Sequence, residues 1–152
     1  MKGPHGEDLP GAVLFACSQN AIRSPMAEAI MKHLYGRVVF VDSCGVRTTD
    51  PDPFMVAAMD EIGIDLSSHV PKTFDDLEDT NYDLVISLSP EAQHKAVDLT
   101  RTMAVEIEYW PTMDPSLASG NREQRMDAYR QVRDALFERI RTRFGAKALP
   151  RV

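Results

Sequence analysis

The chain is short of several features that would settle its class at once. It has 2 cysteines, Cys17 and Cys44, too few to staple a small secreted domain. No apolar run approaches the roughly 18 to 20 residues that a membrane span needs. The opening MKGPHGEDLP has no apolar stretch of the kind a secretory signal carries. Lysine and arginine total 17 against 23 acidic residues, a net charge of −6. That balance disfavours non-specific binding to nucleic acid or to an anionic membrane, because both need a positive surface. The 4 histidines and 2 cysteines show no metal-ligand spacing. No Gly-Lys-Ser/Thr ending is present, which removes the nucleoside-triphosphate P-loop. Internal repeats and low-complexity linkers are absent. The expectation is one domain over residues 11–152 behind a flexible tail, residues 1–10, in a reducing, cytoplasmic setting. Neither a nucleic-acid nor a membrane partner is expected, and oligomeric state is open.

What is present alternates between strand and helix patterns. AVLFA (12–16) is a continuous apolar run, as in a strand buried on both faces. SPMAEAIMKHLYG places Met26, Ala29, Ile30, His33 and Leu34 at helical spacing, with Gly36 as its stop. VVFVD (38–42) reads as a second strand. Asp52 and Pro53 open a second helix that buries Phe54, Ala58, Met59 and Ile62 and ends at Gly63. Residues 83–88 form a third strand, and Ser89 and Pro90 begin a helix over 89–99. A fourth strand covers 104–109. A long final helix over 121–144 carries Met126, Tyr129, Val132, Leu136, Ile140 and Phe144 on one stripe. This order predicts an α/β three-layer sandwich, a four-stranded parallel sheet flanked by helices on both faces. Ligands of such sheets bind beyond the carboxyl ends of the strands, which points at the loops after residues 16, 42, 88 and 109.

Cys17 stands at the first of those loops, followed by Ser18, Gln19, Asn20, Ala21, Ile22, Arg23 and Ser24. A strand-to-helix loop turns backbone N–H groups inward above a helix N-terminus and forms an anion cradle. The same field stabilises a thiolate. Arg23 carries a planar guanidinium that grips two oxygens of a tetrahedral oxyanion. Ser24 is placed to donate to the sulfur, and Asn20 to hold an unusual backbone through side-chain bonds. Nucleophile and oxyanion grip on one loop are what covalent phosphoryl transfer requires. A general acid should come from another strand end. Asp114, before Pro115, is the choice, to protonate a leaving oxygen and then activate water.

With these residues in view, the chain resembles the low-molecular-weight protein tyrosine phosphatase family and its thioredoxin-coupled arsenate reductase relatives. The matching stretches are CSQNAIRSPMAEA, VDSCGVRTTDPDP, EIGIDLSSH, YDLVISL and DPSLASG with the helix after it. The resemblance implies Cys17 as nucleophile, Arg23 as phosphate arginine, Asn20 and Ser24 as loop residues, and Asp114 as general acid. It implies a phosphocysteine intermediate, no metal and no organic cofactor. The substrate would be a phosphorylated protein, as phosphotyrosine, or a small phosphate ester. Gln19 stands where the family usually has glycine, and Ile22 where it has a second cysteine. Ser116 and Leu117 follow the Asp-Pro where phosphotyrosine-directed members commonly have tyrosines, and GVRTTD lacks an aromatic. Tyr109 and Trp110 are the nearby aromatics, either as substitutes for that wall or as packing residues. The arsenate reductase relatives use two further cysteines late in the chain, and none follows Cys44. An arsenate reductase with an external thiol donor therefore stays open, as does a non-catalytic phosphate- or phosphopeptide-binding module.

Other polar residues have plainer readings. Cys44 is expected after the second strand, buried, with a resolving role as the minor alternative. His33 is expected to pack on its helix, and His94 to lie on the surface. His69 is a lesser candidate for supporting the nucleophile loop. Asp75, Asp76, Glu78 and Asp79 read as a solvated acidic face, and Arg130, Arg133, Asp134, Glu138, Arg139 and Arg141 as exposed charge on the last helix.

Overall fold

The computed structural model describes residues 9–77 and 81–145. Four strands and four helices alternate: β1 (Ala12–Cys17), α1 (Arg23–Tyr35), β2 (Phe40–Gly45), α2 (Pro53–Asp60), β3 (Leu84–Ser87), α3 (Pro90–Leu99), β4 (Glu106–Tyr109) and α4 (Arg122–Phe144). Two short 3-10 turns cover Phe74–Asp76 and Pro115–Leu117. All pairings are parallel and the order is β2-β1-β3-β4. The predicted α/β architecture is the one observed. Because β1 lies between β2 and β3, the chain changes winding direction at β1, and its carboxyl end is the switch point where such sheets bind ligands.

Burial on two faces explains the continuous apolar run of β1. Val13, Phe15 and Cys17 face a core shared with α1, α2 and α4. Ala12, Leu14 and Ala16 face a second core with Phe74, Tyr82 and Ala92 and Ala96 of α3. Alternation along β2 has a chemical consequence. Cys44 belongs to the second core and Cys17 to the first, so the two sulfurs lie on opposite faces of adjacent strands.

The caps follow the sequence where the cue is local. Asp52 accepts from the backbone of Phe54 and Met55, Ser89 from Ala92, and Asn121 from Gln124. Gly145 closes α4 with φ +87°, the left-handed conformation glycine adopts without a Cβ penalty. Elsewhere the readings shift. β2 runs three residues further than VVFVD, so Cys44 lies inside the strand and not after it. His33 is exposed, because α1 buries Met26, Ile30 and Met31 instead. In α2 the buried side chains are Met55, Ala58 and Met59; Phe54 is half-buried and Ile62, beyond the helix, is exposed. Leu9 packs in the first core, while residues 1–8 of the expected tail and Glu78 and Asp79 of the acidic face lie outside the described residues.

Arg133 is the largest departure. Read as surface charge, it is 8% exposed. Its Nη1 donates to the Ala58 carbonyl at 2.8 Å and to Glu61 Oε1 at 2.9 Å, and its Nε to Asp134 at 2.8 Å. A cation thereby satisfies a carbonyl in the last turn of α2, which has no intrahelical partner. Arg130 adds to the same cluster, pairing with Glu61 at 2.9 Å and Glu123 at 2.6 Å. Hydrogen bonds from Arg130, then Arg133, hold the Glu61 carboxyl down to about 2 from an ordinary 4.5. A lowered folded-state value stabilises the fold above the unfolded value, and that contribution is lost as pH falls through the folded one. The stability gap between the native chain and Glu61→Gln should therefore be full at neutral pH and close between pH 4.5 and about 2. Glu61 is partly exposed, so the full gap is small, on the order of 1 kcal/mol. Urea denaturation at stepped pH measures it; a gap constant across that window would mean the carboxylate's charge is not what binds α4 to α2.

Candidate active site

The loop from Cys17 to Arg23 is shaped by where its carbonyl oxygens go. Val46 N–H donates to Cys17 O at 3.1 Å, Arg47 to Ser18 at 3.0 Å, Thr49 to Gln19 at 3.3 Å and Asp52 to Ala21 at 3.2 Å. His69 Nε2 reaches Asn20 O at 3.0 Å. A carbonyl only accepts, so that ring nitrogen carries the proton. Met26 N–H takes Ile22 O at 3.1 Å. Six carbonyls are thus drawn outward. Among the described residues, no protein acceptor receives the N–H groups of residues 18–22, and those groups turn to the inside of the loop, where an anion would complete them.

Asn20 makes the turn possible. Its φ of +53° is the one positive φ of a non-glycine among the described residues, a region asparagine tolerates better than most. The side chain is buried and fully engaged: Nδ2 donates to Ser24 Oγ and Ser43 Oγ, both at 2.9 Å, and Oδ1 accepts from Lys72 N–H at 3.0 Å. Ser43 in turn donates to Glu28 at 2.5 Å. Gln19, at the family's glycine position, is outside the positive-φ region and imposes no strain of that kind. Ile22 is buried in the first core. Gly45 is where close approach matters, since a Cβ there would come within 2.7 Å of Asn20 N and 2.8 Å of the Gln19 carbonyl carbon.

A cavity of 150 Å³ opens inside the loop. Of the predicted residues, Cys17, Ser18, Gln19, Ala21, Ile22 and Arg23 line it, and Asp114 contributes the far wall. Asn20 and Ser24, both fully buried, stand behind the wall as supports. Cys17 Sγ is 2.9 Å from Ser24 Oγ. The same hydroxyl lies 3.3 Å from Cys44 O, so its one proton serves either the sulfur or that carbonyl. Arg23 Nη1 donates to Thr112 O at 2.8 Å, which ties the arginine to the segment carrying Asp114. Asp114 Oδ1 accepts from the N–H and Oγ of Ser116 at 2.9 and 2.7 Å. The Asp-Pro turn and a place at the cavity therefore belong to one carboxyl, and the turn engages only one of its oxygens.

Several contributors have no local signature. Arg47 and Glu91 line the cavity and pair across its mouth, separated by 44 residues in sequence. Ser89 accepts from Ser18 at 3.0 Å. Asp52, legible as a helix cap, also receives Tyr129 OH at 2.8 Å. That bond and burial, which is the larger cause, raise the tyrosine's pKa well above its ordinary value. Burial also pushes the Cys44 thiol well up, with repulsion from Cys17 and Asp42 adding to it. Trp110 is 3% exposed, edge-on to Phe15 with ring centres 6.1 Å apart, so it is a core residue, and neither it nor Tyr109 lines the cavity at Cys17. A larger, mostly apolar cavity of 310 Å³ lies between residues 110–113 and α4. No cysteine or carboxylate lines it, and the smaller polar cavity at Cys17 is the candidate site. No three His, Cys, Asp or Glu side chains cluster as a metal site among the described residues, and no described helix is long and apolar enough to cross a membrane.

Comparison with known proteins points to one family. The family model described as low molecular weight phosphotyrosine protein phosphatase matches residues 12–149. An arsenate reductase of Bacillus subtilis (strain 168) is 33% identical over 129 residues, 85% of this chain and 91% of that protein. The structure of an arsenate reductase in the phosphate binding state superposes with a TM-score of 0.69 at 30% identity, covering 89% of this chain and 97% of that one. The YwlE arginine phosphatase superposes with a TM-score of 0.70 at 25% identity, covering 89% and 94%. The fold, the loop and these matches together place the chain in the low-molecular-weight phosphotyrosine protein phosphatase family, whose members include phosphatases and arsenate reductases.

Proposed function

We propose that the chain is a cysteine-dependent hydrolase of phosphate monoesters that works through a phosphocysteine intermediate. The observation that supports this reading most is convergence on one small cavity of the Cys17 sulfur, unpaired loop N–H groups, the Arg23 guanidinium and the Asp114 carboxyl. In the first step Cys17 attacks phosphorus in line. The S–P bond forms as the P–O bond to the leaving group breaks, and Asp114 gives its proton to the departing oxygen. In the second, Asp114 takes a proton from water, the oxygen attacks phosphorus, and the thiolate leaves with inorganic phosphate as product. Loop N–H groups and Arg23 hold the charge on the three equatorial oxygens. Ser24 Oγ donates to the sulfur whenever it is unprotonated, and its hydrogen turns to Cys44 O when the sulfur carries phosphorus.

The substrate is a phosphorylated protein or a small phosphate ester. No aromatic side chain lines the cavity, which gives a phosphotyrosine ring no stacking partner there. A second reading is arsenate reduction, favoured by the 33% identity to an arsenate reductase and by the common tetrahedral shape of arsenate and phosphate. In that cycle Cys17 would attack arsenic and two thiols would become a disulfide as arsenate is reduced to arsenite. Cys44 faces away from Cys17 across the sheet, so the second thiol would come from an external donor such as glutaredoxin, thioredoxin or a low-molecular-weight thiol.

Hydrolysis of a small aryl phosphate should fall by at least about a thousandfold in Cys17→Ser, as expected when the nucleophile of a covalent mechanism is removed. Rates equal to the native protein's would sink the hydrolase reading. Inorganic phosphate binding by calorimetry without any turnover would make the chain a binding module instead. Arsenate-dependent thiol oxidation that exceeds ester hydrolysis would favour the reductase.

Asp114→Asn should cost about 10² to 10³ in kcat with poorly leaving alkyl phosphates and far less with a nitrophenyl leaving group, which departs without protonation. A loss of the same size across a leaving-group series would remove Asp114 as the acid.

A further inference from the structure

Two charged side chains stand at the mouth of the cavity and take no part in the hydrolytic cycle. Arg47 follows the end of β2, and its own N–H donates to Ser18 O, so its backbone is fastened to the oxyanion loop. Glu91 lies in the first turn of α3. Arg47 Nη1 meets Glu91 Oε2 at 2.8 Å and Nη2 meets Oε1 at 3.2 Å, a two-bond fork. The pair is about half exposed, 53% and 50%, and contributes little to stability on its own. Its effect is on orientation. A guanidinium has five N–H donors; Glu91 engages two, and among the described residues no other acceptor takes the remaining three.

The phosphate itself does not need this group. Arg23 and the loop N–H groups already supply a complete grip on one oxyanion. A cavity of 150 Å³ is well below the roughly 300 Å³ at which drug-sized sites begin, so the body attached to the phosphate must pass the mouth where Arg47 stands. That mouth offers the Arg47–Glu91 pair, whose guanidinium keeps unused donors, and no aromatic face. Arginine in this setting reads anions that present two oxygens to its fork, carboxylate or phosphate.

We propose that Arg47, held in position by Glu91, binds a second anionic group of the substrate, a carboxylate or another phosphate on the leaving-group side, so that the preferred phosphate esters are acidic ones. The inference rests on the reading of the chain as a phosphate-ester enzyme and names the substrate class of that same site. The chemistry is common to two sources, a small acidic phosphate ester and a phosphopeptide with an acidic residue beside the phosphorylated one.

The test compares phenyl phosphates that carry a meta carboxylate or a meta carboxamide, in the native protein, Arg47→Ala and Arg47→Lys. The native kcat/KM should favour the carboxylate by about tenfold, the scale of one charge-assisted, part-exposed contact. The preference should fall to about unity in Arg47→Ala and be kept in part in Arg47→Lys, and it should shrink with added salt. An unchanged ratio in Arg47→Ala overturns the proposal. The corresponding phosphonates, titrated by calorimetry into Cys17→Ser with and without Arg47→Ala, read the same contact without turnover. An Arg47-dependent preference there, with no hydrolysis by the native protein, upholds the recognition and removes the hydrolase. Hydrolysis of both esters with no part for Arg47 does the reverse. Phosphopeptides with Asp or Asn beside the phosphorylated residue form the second arm: a larger Arg47-dependent preference among peptides assigns the anion to a protein substrate, and a larger one among the phenyl esters assigns it to a small molecule.

Discussion

The site depends on one backbone constraint: the carbonyls of residues 17–22 all point outward because a donor waits outside for each. Four of those donors are consecutive-segment amides between Val46 and Asp52, one is the His69 ring, and one is the next helical turn at Met26. A peptide unit cannot turn its oxygen out without turning its N–H the other way, so outward carbonyls create the inward cradle. The segment after β2 therefore shapes the oxyanion loop from outside, through its backbone amides. Gly45 lets the two backbones approach closely enough for these bonds, because a Cβ would strike Asn20 N and the Gln19 carbonyl carbon.

Rigid packing then fixes the candidate site residues relative to one another. Asp52 joins three elements with one residue: its N–H bonds the loop at Ala21, one carboxylate oxygen caps α2, and the other accepts Tyr129 of α4. Asn20 reaches β2 at Ser43 and the segment before Thr73 at Lys72. Arg23 reaches the acid loop at Thr112. The loop, the arginine and the carboxyl are thus held by the same two cores that hold the sheet. Such preorganisation is what lets charge stabilisation act without reorganisation during the reaction.

The family pattern is kept in the fold and in much of the loop sequence, and varied in its surroundings. Gln19 and Ile22 depart from the usual loop residues, yet the left-handed turn falls on Asn20 and Ile22 serves the core. The second thiol that the family usually has beside Cys17 is replaced by Ile22, and Cys44 lies in the other core. Two strands that pair in parallel register put Ala16 beside Cys44 and Cys17 beside Gly45, which sends the two sulfurs to opposite faces. Where an aromatic wall is expected around a phosphorylated ring, this chain has an ion pair.

The sequence by itself determined the alternation of strands and helices, the caps at Asp52, Ser89 and Asn121, the loop from Cys17 to Ser24 and the Asp-Pro at 114. Each of these is written in neighbouring residues: a doubly buried apolar run, a capping side chain two or three positions before its amide, a proline that restricts the residue before it. Only the tertiary structure decided what lies opposite them. The burial of Arg133 follows from a helix end on another element; the exposure of His33 follows from which face of α1 meets α4; the core place of Trp110 follows from Phe15. The outward carbonyls, the Arg23–Thr112 tie and the Arg47–Glu91 pair join residues far apart in the chain, and no local period or spacing encodes them. Periodicity reports which residues leave water, whereas the partner each one meets is settled only when the sheet brings distant strand ends to one edge.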